Sequence, residues 1–70
     1  MLTSDRLAIG QKVWLVLRDR EDTGWFSVQR PITSIVEKEG YDMVVSDDIE
    51  ASIDRVFETA GDAYIWISKH

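Results

Sequence analysis

The segment spanning residues 12–17 is apolar on both faces of an extended strand, and this constrains the fold more than any other feature of the chain. Because side chains alternate along a strand, the five apolar residues that follow Lys12 are divided between the two faces. One face holds Val13, Leu15 and Leu17, and the other holds Trp14 and Val16. Strands of this kind are normally covered on both sides. We therefore expect a helix on one side and either a curled sheet or a partner chain on the other.

Three further segments before residue 47 have strand character. Residues 25–29 and 41–46 are rich in β-branched and aromatic side chains, and residues 32–36 resume this pattern after Pro31. Because proline donates no hydrogen bond to a sheet, Pro31 indicates an edge strand or a bulge. The charged runs at 18–24 and 37–40 each end on glycine, which is typical of hairpin loops. Residues 32–36 either continue the strand at 25–29 or begin another, and together with residues 12–17 and 41–46 they predict a three-stranded antiparallel meander.

Alternation within residues 41–46 divides the side chains of that strand between two faces. Those on one face are Tyr41, Met43 and Val45, and those on the other are Asp42, Val44 and Ser46.

Residues 48–60 show the spacing of an amphipathic helix. Apolar residues fall four, seven, eight and eleven positions after the first, and so form one stripe on a helix. They are Ile49, Ile53, Val56, Phe57 and Ala60. Asp47 with Glu50 three residues later has the spacing of a capping box, and Gly61 lies where a helix C-cap is expected. The pattern predicts one helix at about 48–60.

Residues 63–68 are predicted as a last strand, because they are rich in β-branched and aromatic side chains. In that strand Ala63, Ile65 and Ile67 would oppose Tyr64 and Trp66, so both faces would again be apolar. The fold prediction is a single α+β domain over residues 1–70. It has a small antiparallel sheet in βββαβ order and one amphipathic helix.

Two short motifs support an alternative. Ile9-Gly10-Gln11-Lys12-Val13 resembles the "IGxKV" opening of small SH3-like barrel proteins of phage and bacterial genomes. The run Val56-Phe57-Glu58-Thr59 resembles their last strand, "VFxT", which leads into a capped C-terminal helix. The resemblance implies an SH3-like barrel with a helix at about 60–69, capped by Thr59 and Asp62. It implies no functional residue, since most members of that group lack known functions.

Residue types argue against catalysis and against metal or cofactor binding. The chain contains no cysteine, and its one histidine is His70, the last residue. Histidine-based triads and thiolate or imidazole metal sites are therefore not expected. The four glycines form no phosphate-binding pattern. Residues 47–50 are acidic but lack the ligand spacing of a calcium loop. We expect a non-enzymatic protein without a cofactor.

Charge is distributed unevenly along the chain. Residues 37–62 contain nine acidic and two basic residues, whereas residues 1–36 are close to neutral. With a net charge of −5, the chain should be repelled by nucleic-acid phosphates and by anionic membranes. The first residues lack the pattern of a secretory signal, so we expect a cytoplasmic protein. The expected partner class is a basic protein surface.

On the predicted helix, Glu50, Asp54 and Glu58 form a row opposite the apolar stripe. Like charges four residues apart mildly destabilise a helix, so the row calls for an explanation beyond helix stability. Solvation of the surface is one explanation. The functional hypothesis is that the row imitates nucleic-acid phosphates and occupies the basic surface of a DNA- or RNA-binding protein, as phage-type inhibitors do. The supporting residues are Asp47, Asp48, Asp42 and Glu39.

A second hypothesis assigns the chain a structural role. In this alternative an SH3-like assembly domain forms oligomers, a homodimer included, through an apolar face that carries Trp14, Tyr64 and Trp66. Oligomerisation is a common route to stability for a core this small. Salt separates the two hypotheses, because only the charge-driven complex should weaken steeply as ionic strength rises.

Overall fold

A computed structural model describes residues 7–19, 21 and 24–70. Within these residues six strands precede one helix, so the fold is α+β but not in the predicted βββαβ order. The strands are β1 (Lys12–Arg18), β2 (Trp25–Pro31), β3 (Ser34–Lys38), β4 (Tyr41–Ser46), β5 (Ile49–Ser52) and β6 (Val56–Phe57). A 3₁₀ turn (Ile53–Arg55) separates β5 from β6, and helix α1 (Ala60–Ser68) follows β6.

The strands form two three-stranded antiparallel sheets instead of one. The first sheet has the order β2-β1-β6 and the second has the order β3-β4-β5. The predicted meander is therefore divided, because β2 pairs with β1 whereas β3 pairs with β4. The two sheets do not close into the barrel that the SH3-like resemblance implies.

The chain passes from the first sheet to the second between Ile32 and Thr33. The Ile32 N–H donates to the carbonyl of Gln11 (2.9 Å), just before β1, whereas the Thr33 N–H donates to the carbonyl of Val45 in β4 (2.8 Å). Pro31, immediately before this crossing, is the last residue of β2, which is an edge strand as its proline predicts.

The hydrophobic core lies between the two sheets and draws side chains from both. Its buried members are Leu7, Val13, Leu15, Ile32, Val44, Ala51 and Val56. Small and β-branched residues dominate this set, which suits two short sheets packed face to face.

Strand β1 is covered on both faces, as its sequence predicts. Val13 and Leu15 belong to the core between the sheets, and Val16 on the opposite face is also fully buried. Helix α1 packs on this second face of the first sheet. Trp25 lies on that face, and its ring contacts the ring of Trp66 in α1 at a centroid distance of 5.0 Å.

The helix predicted at residues 48–60 is wrong. Residues 49–52 form β5, which pairs with β4 in a register that places Ile49 opposite Ser46. Asp47, predicted as a helix cap, instead occupies the two-residue turn between β4 and β5 with a φ of 54°. Its N–H donates to the hydroxyl of Thr33 (3.1 Å). Asparagine and aspartate tolerate this left-handed backbone better than most residues, which favours a turn here.

The strand predicted at residues 63–68 is also wrong, because these residues lie within helix α1. The hydroxyl of Thr59 accepts a hydrogen bond from the N–H of Asp62 (3.2 Å) and caps the helix. This agrees with the capped helix at about 60–69 implied by the SH3-like resemblance. No helix in the described part of the chain is long and apolar enough to cross a membrane.

Candidate functional site

A groove of about 520 Å³ lies between helix α1 and the segment formed by the 3₁₀ turn and β6. We call it the C-terminal groove. Its position follows from the cap at Thr59, since residues 58–59 reverse the chain and return it as α1 beside β6. Its volume is within the range of about 300–1,000 Å³ typical of ligand pockets.

Apolar and charged side chains both line the C-terminal groove. Ile53 from the 3₁₀ turn and Phe57 from β6 line one side, and Ile65 and Trp66 from α1 line the other. Ile65 is 51% exposed, although it is a large apolar side chain. The groove therefore leaves apolar surface in water that a ligand can cover.

Stacked rings support one end of the groove. The rings of Trp66 and of Trp25 in β2 meet at an interplanar angle of 87°, and the His70 ring lies parallel to Trp66 at a centroid distance of 3.8 Å. The Nδ1 atom of His70 lies 2.8 Å from the carbonyl oxygen of Trp66 and donates to it when it carries a proton. The guanidinium groups of Arg18 and Arg55 lie 5.4 and 5.6 Å from the centre of the Trp25 ring. These contacts stabilise the position of Trp66.

Three carboxylates border the groove. They belong to Asp54 in the 3₁₀ turn, Glu58 after β6 and Asp62 in the first turn of α1, and all three residues are exposed. Lys69 and His70 also line the groove, but within the described residues none of the three carboxylates forms an ion pair. The arrangement can therefore hold a cationic group beside an apolar one.

The groove does not have the arrangement of a metal site. In the part of the chain that the structure describes, no three histidine, aspartate or glutamate side chains lie close enough to share a metal ion.

The predicted row of carboxylates is not on a helix, and only two of its members remain together. Asp54 and Glu58 both line the C-terminal groove. Glu50 lies on β5, where its Oε1 atom is 3.5 Å from the Nζ atom of Lys38 in an exposed ion pair. The prediction that these three residues share one face of a helix is wrong, because residues 49–57 form a strand, a 3₁₀ turn and a second strand.

The four supporting acidic residues lie on the second sheet, away from the groove lining. Glu39 occupies the two-residue turn between β3 and β4, and Asp47 and Asp48 occupy the turn between β4 and β5. Asp42 lies on β4 directly opposite Glu37 of β3. They cluster at the two ends of the sheet, apart from Asp54 and Glu58.

The three aromatic residues predicted for an oligomer interface do not share an exposed face. Trp66 packs against Trp25 within the chain. Trp14 is half-buried on the face of β1 that α1 covers, opposite Phe57 in β6. Tyr64 is 72% exposed on α1. Two positions along a helix are about 200° apart, so Tyr64 and Trp66 project in different directions.

Sequence reasoning missed half of the groove, namely the residues that α1 contributes. The sequence predicts a last strand at 63–68, which includes Ile65, with Asp62 just before it and Lys69 just after it, so none of the three is placed beside Asp54. The signal that could have found them is Thr59 with Asp62, the cap that the SH3-like resemblance singles out. Comparison with known proteins adds no identity, because no family model, curated protein or solved structure significantly matches the chain.

Proposed function

We propose that this protein is a non-enzymatic protein-interaction module that binds a basic segment of a partner protein in the C-terminal groove. The observation that carries the proposal is the combination of apolar side chains with carboxylates that form no ion pair among the described residues. Ile65 and Trp66 offer apolar surface, and Asp54 and Glu58 border it. A segment with lysine or arginine next to an apolar side chain complements both features.

The distribution of charge over the fold supports a basic partner. Strands β1 and β2 contain three basic residues and no acidic residue. Residues 34–52, which form the second sheet and its turns, contain six acidic residues and one basic residue. That basic residue, Lys38, is already paired with Glu50. A field of this kind accelerates association with a basic protein and is screened by salt.

We further propose that the partner is a nucleic-acid-binding protein and that this chain occupies the surface where the partner binds phosphates. The net charge of −5 supports this, because carboxylates can take the place of phosphates opposite lysine and arginine. The same charge disfavours direct binding of DNA or RNA by this chain.

The test is affinity capture with the protein immobilised. A bacterial lysate is applied at low ionic strength, and bound proteins are eluted either by a salt gradient or by a double-stranded oligonucleotide. Two double variants remove the same charge: Asp54→Asn with Glu58→Gln in the groove, and Asp19→Asn with Glu21→Gln in the loop between β1 and β2.

We expect DNA- or RNA-binding proteins to be captured, to elute before physiological ionic strength and to be displaced by the oligonucleotide. The groove variant should lose them and the loop variant should retain them. Equal retention by both variants would contradict the groove as the site. Capture that resists both salt and oligonucleotide would contradict mimicry of nucleic acid and favour the alternative of assembly through apolar contacts.

We also propose that the chain is a distant variant of the SH3-like proteins that it resembles. Support comes from the local order of elements: a two-residue strand at Val56–Phe57, a cap at Thr59 and a helix over Ala60–Ser68. The division into two separate sheets is a difference from a closed barrel.

A further inference from the structure

Strand β2 lies at an edge of the first sheet and pairs with β1 on one side. At one end of this pairing the Ile32 N–H donates to the carbonyl of Gln11 (2.9 Å), and at the other end the Asp19 N–H donates to the carbonyl of Gly24 (3.1 Å). Because hydrogen-bonded pairs alternate along an antiparallel ladder, the even-numbered residues of β2 bond to β1. The odd-numbered residues therefore direct their N–H and C=O groups away from the sheet. Those that carry both groups are Trp25, Ser27 and Gln29.

The outward edge of β2 is open to another strand. Among the hydrogen bonds of the described residues, the one that uses these outward groups joins the guanidinium of Arg30 to the carbonyl of Gln29 (3.3 Å). A row of free backbone donors and acceptors is a template for strand pairing, and proteins often block such an edge with a charge or a proline. In β2 the proline is the last residue, Pro31, and residues 25–29 are uncharged. The middle of this edge is therefore not blocked.

The sequence of β2 complements itself about Ser27. A two-fold axis through Ser27, perpendicular to the sheet, sets Ser27 opposite its own copy and Trp25 opposite Gln29 of the second copy. These are the residues with outward groups, so each of those groups gains a partner. On the face toward the core, the same register sets Phe26 opposite Val28 of the second copy. Phe26 is 42% exposed in the single chain, and an aromatic residue opposite a β-branched one stabilises paired strands.

Charge favours the same register. It places Arg30 opposite Gly24 of the second copy, and Gly24 in turn pairs with Asp19 on its other side. Arg30 and Asp19 are exposed, and within the described residues neither forms an ion pair. Opposed residues project to the same face, and Gly24 has no side chain to separate them, so Arg30 of each copy lies beside Asp19 of the other. The two Arg30 residues are about 20 Å apart at roughly 3.4 Å per residue, too far to repel strongly.

We propose that the outward edge of β2 is a self-association surface through which two copies of the chain form a symmetric dimer. The two first sheets then become one sheet in the order β6-β1-β2-β2-β1-β6. Because the axis is perpendicular to this sheet, both α1 helices lie on the same face, and the dimer presents its two C-terminal grooves on one side. The pairing does not depend on what the grooves bind.

The test measures the mass of the full chain by light scattering and sedimentation over a dilution series, with hydrogen exchange of the β2 amides. Two substitutions at the centre of the edge form a matched pair. Ser27→Pro removes an N–H that points away from β1, whereas Ser27→Ala keeps it. A charge cycle tests the register with Arg30→Asp, Asp19→Arg and the two combined. Circular dichroism establishes that each variant is folded.

We expect a dimer that dissociates on dilution, with slower amide exchange at Trp25, Ser27 and Gln29 when the dimer is populated. Ser27→Pro should raise the dissociation constant at least about tenfold, and Ser27→Ala should change it less than about twofold. Each charge reversal should raise it about tenfold, and the combined variant should recover the original value. Damage to the fold by either reversal would not be repaired by adding the other, so recovery identifies the contact.

Three results would overturn the proposal. They are a monomer at every concentration, a dimer that Ser27→Pro and Ser27→Ala leave equally stable, and charge reversals whose combination recovers nothing. The first would leave the edge to a strand of a different protein, and the second would place the interface elsewhere. None of them affects the capture of basic proteins by the groove, so failure of the dimer is distinguishable from failure of the proposed function.

Discussion

Ser46 is a polar residue in the core. It is 1% exposed at the end of β4, and its hydroxyl oxygen has no hydrogen-bond partner among the described residues. A buried hydroxyl without a partner costs about 1–3 kcal/mol. We predict that Ser46→Ala raises the free energy of unfolding by about 1 kcal/mol, because the penalty is removed at the cost of only a small cavity. Urea denaturation followed by tryptophan fluorescence measures the change.

The matched control is Ser52→Ala at the end of β5. Ser52 is only half-buried, and its side chain makes no capping hydrogen bond, so this substitution should leave stability nearly unchanged. If Ser46→Ala destabilises the protein while Ser52→Ala does not, the hydroxyl of Ser46 must have a partner that offsets its burial.

At the scale of single residues, the sequence predicts which side chains share a face better than it predicts which face is buried. The alternation in residues 41–46 is confirmed by the register of β4. The core, however, receives Val44 and Ser46, whereas Tyr41 is 66% exposed. Apolar content alone would instead predict that the face with Tyr41, Met43 and Val45 is buried. The outcome depends on where the first sheet packs, which alternation within one strand does not specify.

At the scale of elements, strands β1, β2 and β4 could be predicted from their composition, but the helix could not be placed. Residues 48–60 match the spacing of a helix, yet residues 49–52 pair with β4 across the turn at Asp47. Residues 63–68 match the composition of a strand, yet they form a helix capped by Thr59. Strand pairing with β4 outweighs the local pattern in the first segment, and the helix cap at Thr59 outweighs it in the second. Because Asp54 and Glu58 were placed on the wrong element, their groove could not be predicted.

Helix α1 docks on the first sheet through a small residue. Ala63 is the one fully buried residue of α1, and its short side chain lets the helix approach the sheet closely. We predict that Ala63→Leu lowers the free energy of unfolding by about 1–3 kcal/mol, because the added atoms force the helix away from β1. Thermal unfolding and hydrogen exchange of the α1 amides check this.

Ala60→Leu is the matched control, since Ala60 is an exposed residue of the same helix and undergoes the same change. It should have little effect on stability. Equal stability of the two variants would mean that α1 does not depend on close approach at Ala63, and that the groove beside it is held by other contacts.

At the scale of the whole molecule, the fold concentrates like charges. Residues 34–52 hold six carboxylates and one lysine on a single three-stranded sheet, and the register sets Glu37 directly opposite Asp42. Like charges opposed across strands destabilise a sheet. In the unfolded chain these carboxylates are farther apart, so their mutual repulsion lowers the free energy of unfolding. A basic partner would relieve the same repulsion, and partner binding would stabilise the folded chain further.

The expected consequence is that salt stabilises this protein in the absence of any partner. Between about 10 and 150 mM NaCl the Debye length falls from about 30 to about 8 Å, which screens the carboxylates of the second sheet from one another. We predict that the urea midpoint rises over this range, and that it rises less in a variant with Glu37→Gln and Asp42→Asn. The loop variant, with Asp19→Asn and Glu21→Gln, carries the same net charge as that variant, so the difference between their salt responses isolates the contribution of the sheet. A midpoint that falls with salt would show that attractive pairs such as Lys38 with Glu50 outweigh the repulsion, and the acidic sheet would then need no partner to balance its charge.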